Sequence, residues 1–331
     1  MTALRALAPA KINLGLFVGA RRDDDGRHEL VSVMQAISLA DELTLAPAPP
    51  GAAADQLDCP GVEGIDAENL AARALAAFRA TTGWQAPPQR LEIRKRIPVA
   101  AGLGGGSADA AAALRLAAAA SGLGEHAQLL ELAARLGADV PAQLAPGRWL
   151  AGGAGEQLQP LPAPGEQLGV LVLPLAAELA TGAVYAELDR LGPPRPPEAL
   201  RRHRRELTAA LAGGAALPAA SELLHNDLQR AAVSLCPEIV AALGLARQAG
   251  AAFAFVSGSG PTVLGLFPGS PADRGGGPAA AERAAAALRD RTPAALAAST
   301  VGEDFARPTA LAGVADRVEQ DGSRRERHPR A

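Results

Sequence analysis

Cysteine is almost missing from this 331-residue chain: Cys59 and Cys236 stand alone, in no CxxC pair and beside no histidine cluster. A disulfide framework or a structural zinc site is therefore not expected. Aromatic residues make up only 3% of the chain, with a single tyrosine, Tyr185. Excess charge is missing too, since 32 Lys and Arg stand against 35 Asp and Glu, for a net charge of −3. That near balance supplies no overall field for nucleic acid or an anionic membrane, and neither is an expected partner. No run free of glycine, proline and charge reaches the roughly 18 apolar residues that span a bilayer. The opening MTALRALAPAKINLGLF also lacks the basic-then-apolar order of a secretory signal, so a soluble cytoplasmic protein is expected.

What is present is alanine, which dominates a 48% hydrophobic content, along with 36 glycines and 27 prolines. Alanine favours helix, and the length predicts about two domains. Apolar patterning predicts strands over 12–18 and 31–46 around a turn at 23–26. A helix over 70–82, capped by Asn69, and a strand over 89–95 follow. Next come a helix from near Ser107 to about 120, a second over 125–136, and a helix start at Asp139. Residues 156–167 read as loop, and a new strand begins at Gln167, which places a domain boundary near 160. Beyond it the pattern predicts helices at 181–189, 198–212, 226–234 and 237–248, then strands 252–256 and 262–267. A Gly/Pro loop at 268–280 and a helix at 280–291 complete the second domain, 161–312. Residues 313–331 form a charged tail without an apolar face, expected to be disordered over 318–331. The alternation fits α/β or α+β packing, and periodicity alone does not choose between them.

The strongest local signal is PVAAGLGGGSADAAAAL, starting at Pro98. A strand feeds a loop holding Gly102, Gly104, Gly105 and Gly106, and a helix follows. Glycine lets backbone approach a ligand closely, and N–H groups at a helix start attract anions. Ser107 can cap that helix or offer its hydroxyl to a phosphate. The same residues also fit an ordinary tight turn with a serine cap. No lysine follows the last glycine, so this is not a GxxxxGK[ST] loop. Ser107 stands where a dinucleotide-binding GxGxxG would have its last glycine.

Together, APAKINLGLFV, this glycine loop, GADVPAQL and FVSGSGPTVLGLF resemble, in order, the motifs of the galactokinase, homoserine kinase, mevalonate kinase and phosphomevalonate kinase superfamily. With GRHEL included, the set is similar to the kinases of the methylerythritol route. The resemblance implies an α+β fold, with an N-terminal domain (1–160) like ribosomal protein S5 domain 2 and a C-terminal split βαβ (ferredoxin-like) domain. It implies ATP with Mg²⁺ carried mainly by ATP phosphates and water. The acceptor would be the 2-hydroxyl of 4-diphosphocytidyl-2-C-methyl-D-erythritol, phosphorylated by direct in-line transfer.

By the same resemblance, Lys11 and Asp139 are the catalytic pair. From the residues alone, Lys11 could be a strand-edge solubiliser and Asp139 a helix cap. Pro98, Ala101, Gly102, Leu103, Gly104, Gly105, Gly106 and Ser107 would line the ATP phosphates, with Ser257, Gly258, Ser259 and Gly260 closing from the second domain. Asn69 and Lys95 would lie on the adenine side, although a cap and a solvated strand end explain them equally. Asn13 shares the strand face of Lys11 and would approach the substrate alcohol. His28 would read the cytosine edge, and Tyr185, four residues after Thr181, would stack on the base. Arg27 stands where the family usually has tyrosine. It could stack over the pyrimidine, pair with the diphosphate or point to solvent. Asn226 and Asp227 also resemble a family segment, and could organise the second domain without touching substrate. Two other readings remain open: another small-alcohol kinase acting on homoserine or mevalonate, or a non-enzymatic nucleotide- or RNA-binding module. A monomer and a homodimer are both compatible with the chain.

Overall fold

A computed structural model describes residues 2–62, 68–217, 221–269, 275–292 and 294–311. The expected tail at 318–331, and residues 270–274 of the loop at 268–280, lie outside the described residues. Two antiparallel strands of unusual length, β1 (Leu4–Arg21) and β2 (His28–Pro47), form the spine of the N-terminal sheet. Both extend beyond the expected 12–18 and 31–46. Outside the apolar runs, alternate residues such as Ala6 and Ala8 are still buried, which the sequence pattern underweights. β3 (Gln56–Asp58) pairs in parallel with β4 (Gln89–Arg94), and β4 joins the C-terminal half of β2. The N-terminal half of β2 carries β5 (Arg148–Gly152), which continues to β6 (Gln157–Pro160). β6 corrects the reading of 156–167 as loop throughout.

Four helices cover one face of this sheet: α1 (Leu70–Thr82), α2 (Gly105–Ser121), α3 (His126–Leu136) and the short α4 (Val140–Leu144). Asn69 caps α1 by accepting from Ala71 N–H at 2.9 Å, and Gly83 closes it at φ 68°, which the side-chain-free residue adopts without strain. Small residues let α2 sit close against α1 and β1, with Ala108 and Ala110–Ala113 nearly inaccessible.

The second sheet runs β10 (Leu296–Ser299), β7 (Gly169–Leu173), β9 (Val263–Phe267), β8 (Phe253–Val256), all antiparallel. In chain order this is the 4-1-3-2 arrangement of a split βαβ unit. Between β7 and β8 run α5 (Thr181–Leu191), α6 (Pro197–Leu211), α7 (Gln229–Leu235) and α8 (Glu238–Gln248). α7 begins later than expected at 226, because Asn226 turns its side chain to the backbone. α9 (Gly276–Ala287) begins four residues before the expected 280, and β11 (Thr309–Ala310) returns to pair with β1. One core packs Ile12, Leu14, Val31 and Val33 of the first sheet against Val170, Val172, Leu264 and Leu266 of the second. Further ties run from Leu16 N–H to His225 O (2.7 Å) and from Val18 N–H to Asp227 Oδ2 (2.8 Å). The architecture is α+β.

Candidate active site

A lysine inside a long strand is costly unless the strand turns it toward a cleft or a partner. Two of the three shifts in the β1–β2 register fall here, between Pro9 and Lys11 and between Asn13 and Gly15. Such irregularities re-aim side chains, and these two bracket Lys11 and Asn13. Lys11 Nζ donates to Asn13 Oδ1 at 3.0 Å and stands 3.5 Å from Asp139 Oδ2. Asn13 Nδ2 in turn donates to Ser32 Oγ at 2.7 Å, so the amide orientation is fixed from β2. The strand-edge reading of Lys11 fails, because its side chain is only 12% exposed.

Above Lys11 lies the glycine loop, tied down where Lys11 N–H donates to Leu103 O at 2.9 Å. Gly104 holds φ 71°, which favours glycine, and a Cβ there would also stand tight against Lys11 Cγ, at 3.0 Å. Gly104, not Ser107, is the N-cap residue of α2, which corrects the expected start. At Gly105 a Cβ would stand 3.2 Å from Ile97 Cγ2, a tight contact in the first turn of the helix. The first ladder bond runs from Ala108 N–H to Gly104 O, so the N–H groups of Gly105, Gly106 and Ser107 precede it. A second loop presses on the first. Ser257 Oγ donates to Gly102 O at 3.2 Å, and a Cβ on Gly102 would stand 2.6 Å from Ser257 O. Asn226 Nδ2 donates to Val256 O and Gly258 O, both at 2.7 Å, holding that second loop in place.

Asp139 occupies the N-cap position of α4 but makes no side-chain cap bond, so its carboxylate stays available. One cavity of about 610 Å³ is lined by Lys11, Asn13, Gly102, Gly104, Ser107, Asp139, Gly258 and Ser259, and also by Arg27, His28, Thr181 and Tyr185. Pro98, Ala101, Leu103, Gly105, Gly106, Ser257 and Gly260 are not on its wall. Ala101 and Leu103 send their side chains into the core, and Ser257 and Gly260 are buried between the loops. Asn69 and Lys95 also lie off this wall. Lys95 is not a solvated strand end: its Nζ donates to Asp41 Oδ2 at 2.5 Å and Asp109 Oδ2 at 2.7 Å, both nearly sealed from solvent. Burial, with Asp41 nearby, pushes the Asp109 carboxyl up to about 7 despite Lys95.

At the far end of the cavity, His28 stacks on Tyr185 with ring centroids 4.9 Å apart. Burial and then the Asp139 carboxylate push the Tyr185 phenol up to about 12, so the ring stays neutral. Thr181 lies one turn before it on α5, and its hydroxyl is 3.1 Å from Ser259 Oγ. Arg27 lines the cavity while its Nε donates to Asp25 Oδ2 at 2.7 Å, and the side chain is half exposed. The sequence reading overlooked Arg21, Ser32 and Asp189. Asp189 had a legible signal, four residues after Tyr185 on one helix face, whereas Ser32 and Arg21 are brought in only by the β1–β2 pairing.

The model of the GHMP kinase N-terminal domain matches residues 69–147, and that of the C-terminal domain matches residues 198–294. A 4-diphosphocytidyl-2-C-methyl-D-erythritol kinase of Streptomyces coelicolor is 44% identical over 78% of this chain and 85% of its own length. One from Thermobifida fusca is 43% identical over 87% and 94%. A crystal structure of 4-(cytidine 5'-diphospho)-2C-methyl-D-erythritol kinase superposes with a TM-score of 0.70 at 36% identity, covering 90% of this chain and 99% of that one. A homoserine kinase of Cytophaga hutchinsonii shares the fold at a TM-score of 0.69 and 19% identity. The chain is therefore an ATP-dependent kinase and belongs to the 4-diphosphocytidyl-2-C-methyl-D-erythritol kinase family of the GHMP kinases.

Proposed function

We propose that this enzyme transfers the γ-phosphoryl group of ATP to the 2-hydroxyl of 4-diphosphocytidyl-2-C-methyl-D-erythritol. The products are ADP and the 2-phosphate, on the methylerythritol phosphate route to isoprenoid precursors. The observation that carries this reading is a single cavity lined both by the glycine loop and by the His28–Tyr185 pair, with Lys11 and Asp139 on its wall.

Phosphoryl transfer asks a protein mainly for positioning and charge stabilisation. Asp139 accepts the proton of the attacking hydroxyl, since its carboxylate is not engaged in capping and is 35% exposed. Lys11, steadied by Asn13, directs its charge at the transferring oxygens. The N–H groups at the start of α2 hold the phosphates, and the Ser257–Gly260 loop closes over them from the second unit, residues 161–312. Adenine lies toward Asn69, whose Oδ1 is engaged in capping α1 and whose Nδ2 remains to donate. Among the described residues no group of three or more His, Cys, Asp or Glu could hold a metal ion. The Ser107 hydroxyl, on the cavity wall at the loop, fits a magnesium ion that arrives on ATP and is held mainly by its phosphates and water. Bound there, magnesium supplies neutralisation of phosphate charge. Transfer is direct, with no phosphoenzyme.

The test is ADP release by the purified full chain with ATP and magnesium, offered the cytidylyl compound, homoserine or mevalonate. Turnover with the cytidylyl compound alone, and a new phosphomonoester on its 2-oxygen by phosphorus NMR, is the expected result. Preference for either of the other alcohols would overturn the substrate assignment.

A further inference from the structure

His28 is buried, yet it borders the cavity, and its protons are set by a residue that the phosphoryl-transfer reading leaves without a role. Its Nε2 lies 2.8 Å from Asp189 Oδ1. The other oxygen, Oδ2, accepts from Arg21 Nε at 3.0 Å and Nη2 at 2.8 Å. Burial pushes the Asp189 carboxyl up, but the hydrogen bonds from His28 and Arg21 outweigh it and hold the group below the ordinary carboxylate value. An ionised carboxylate only accepts hydrogen bonds, so the imidazole proton belongs on Nε2. Neutral imidazole then presents a lone pair at Nδ1. No residue among those described hydrogen-bonds that nitrogen. Tyr185, one turn before Asp189 on α5, fixes the ring plane by stacking.

Pyrimidines differ where this matters. Cytosine carries an amino donor at C4, and uracil and thymine carry a carbonyl acceptor there. We infer that Asp189 is a specificity-determining positioning residue, which by holding the His28 proton on Nε2 leaves Nδ1 as an acceptor matched to the cytosine amino group and mismatched to the uracil carbonyl. Arg21 supports the same arrangement by occupying the second carboxylate oxygen. The inference rests on the cytidylyl reading of the cavity proposed above.

The test compares kcat/KM for the cytidylyl substrate and its uridylyl counterpart in wild type, Asp189→Asn and Asp189→Glu. In Asp189→Asn the amide can donate to Nε2, which moves the imidazole proton to Nδ1. The cytidylyl-to-uridylyl ratio is expected to fall at least about tenfold, the scale of one hydrogen bond exchanged for a mismatch. KM for ATP should not change, and Asp189→Glu, which keeps the carboxylate, should recover part of the ratio. Nitrogen NMR of the imidazoles reads the tautomer without turnover, with Nε2 protonated in wild type and Nδ1 in Asp189→Asn. An unchanged ratio in Asp189→Asn, or a His28 proton that stays on Nε2, overturns the role of Asp189 and leaves the kinase reading standing. A wild type that turns over neither nucleotide overturns the substrate reading and this inference together.

Discussion

Two lysines flank the same glycine loop, and the protein treats them in opposite ways. Lys11 lies against Gly104, and Lys95 lies against Gly105, where a Cβ would stand 3.4 Å from its Nζ. Lys95 is gripped by two carboxylates whose side chains are 0% and 5% exposed. Asp41 also accepts from the N–H groups of Arg96 (2.5 Å) and Ile97 (2.8 Å), which locks the strand end to β2. Lys11 has one carboxylate, at the longer distance of 3.5 Å, and that carboxylate opens to the cavity. A buried cation already satisfied by anions holds structure together. One with coordination to spare is available to a charged ligand.

Substituting both lysines tests that contrast most severely. Lys95→Met strands two carboxylates in the interior and should destabilise the fold by about 3–5 kcal/mol, as urea unfolding would show. Lys11→Met should change stability by only about 1 kcal/mol, because its partner can reach solvent. Its kcat, however, should fall by roughly two to three powers of ten. Similar unfolding midpoints for the two variants would break the comparison. Asp139→Asn belongs on the catalytic side. It should lower kcat by about 10²–10⁴ while KM for ATP moves only a few-fold, and a kcat near wild type in a folded variant would remove Asp139 as the base.

The sealed cluster has its own pH signature. One cation faces two carboxylates, and Asp109 Oδ1 is buried without a partner, so the folded state favours protonated Asp109. Its folded value of about 7 lies above the ordinary carboxylate value of about 3.9. The folded state therefore binds this proton more tightly than the unfolded chain. The stability from this group is complete below about pH 4 and is lost as pH rises through 7. Asp109→Asn should remove that slope, altering the stability difference between pH 5 and 8 by on the order of 2 kcal/mol relative to wild type. Equal slopes in the two proteins would show that Asp109 stays ionised throughout.

How much of this was legible in the sequence depends on whether the determinants are local. α1 matches its expected bounds because Asn69 and Gly83 punctuate it. The start of α2 was misplaced, since consecutive glycines read as loop, whereas Gly105 and Gly106 already belong to the helix behind the Gly104 cap. The pairing of Lys11 with Asp139 came through resemblance. The register shifts that aim Lys11 leave no periodic trace, and the partners lie in distant segments. Asp41 and Asp109 were missed for the same reason: each is remote from Lys95 in the chain and looks unremarkable alone. β5 and β6 were overlooked because both are short, five and four residues, and β6 (QLQP) carries little apolar pattern.

At the substrate end the same contrast, saturated against available, separates Tyr185 from Arg27. Tyr185→Ala should weaken cytidylyl kcat/KM by about 0.5–1.5 kcal/mol beyond the lost area, and Tyr185→Phe should be much milder because stacking needs no hydroxyl. Arg27 has the smaller expected effect. Its Nε is held by Asp25, and its Nη2 is 3.8 Å from Glu156, so the carboxylates at its edge compete with any diphosphate for the guanidinium. Arg22 bridges the same two carboxylates, giving a network that survives loss of one member. Arg27→Lys keeps charge but loses the flat fork, so a stacking role over the pyrimidine would show as a loss comparable to Tyr185→Ala. The geometry instead predicts that Arg27→Lys and Arg27→Ala each cost less than about 0.5 kcal/mol in cytidylyl kcat/KM, with stability changed by at most about 1 kcal/mol, the range of an exposed ion pair. A loss in Arg27→Lys as large as that in Tyr185→Ala would show that the substrate draws Arg27 away from Asp25 and recruits it to the base.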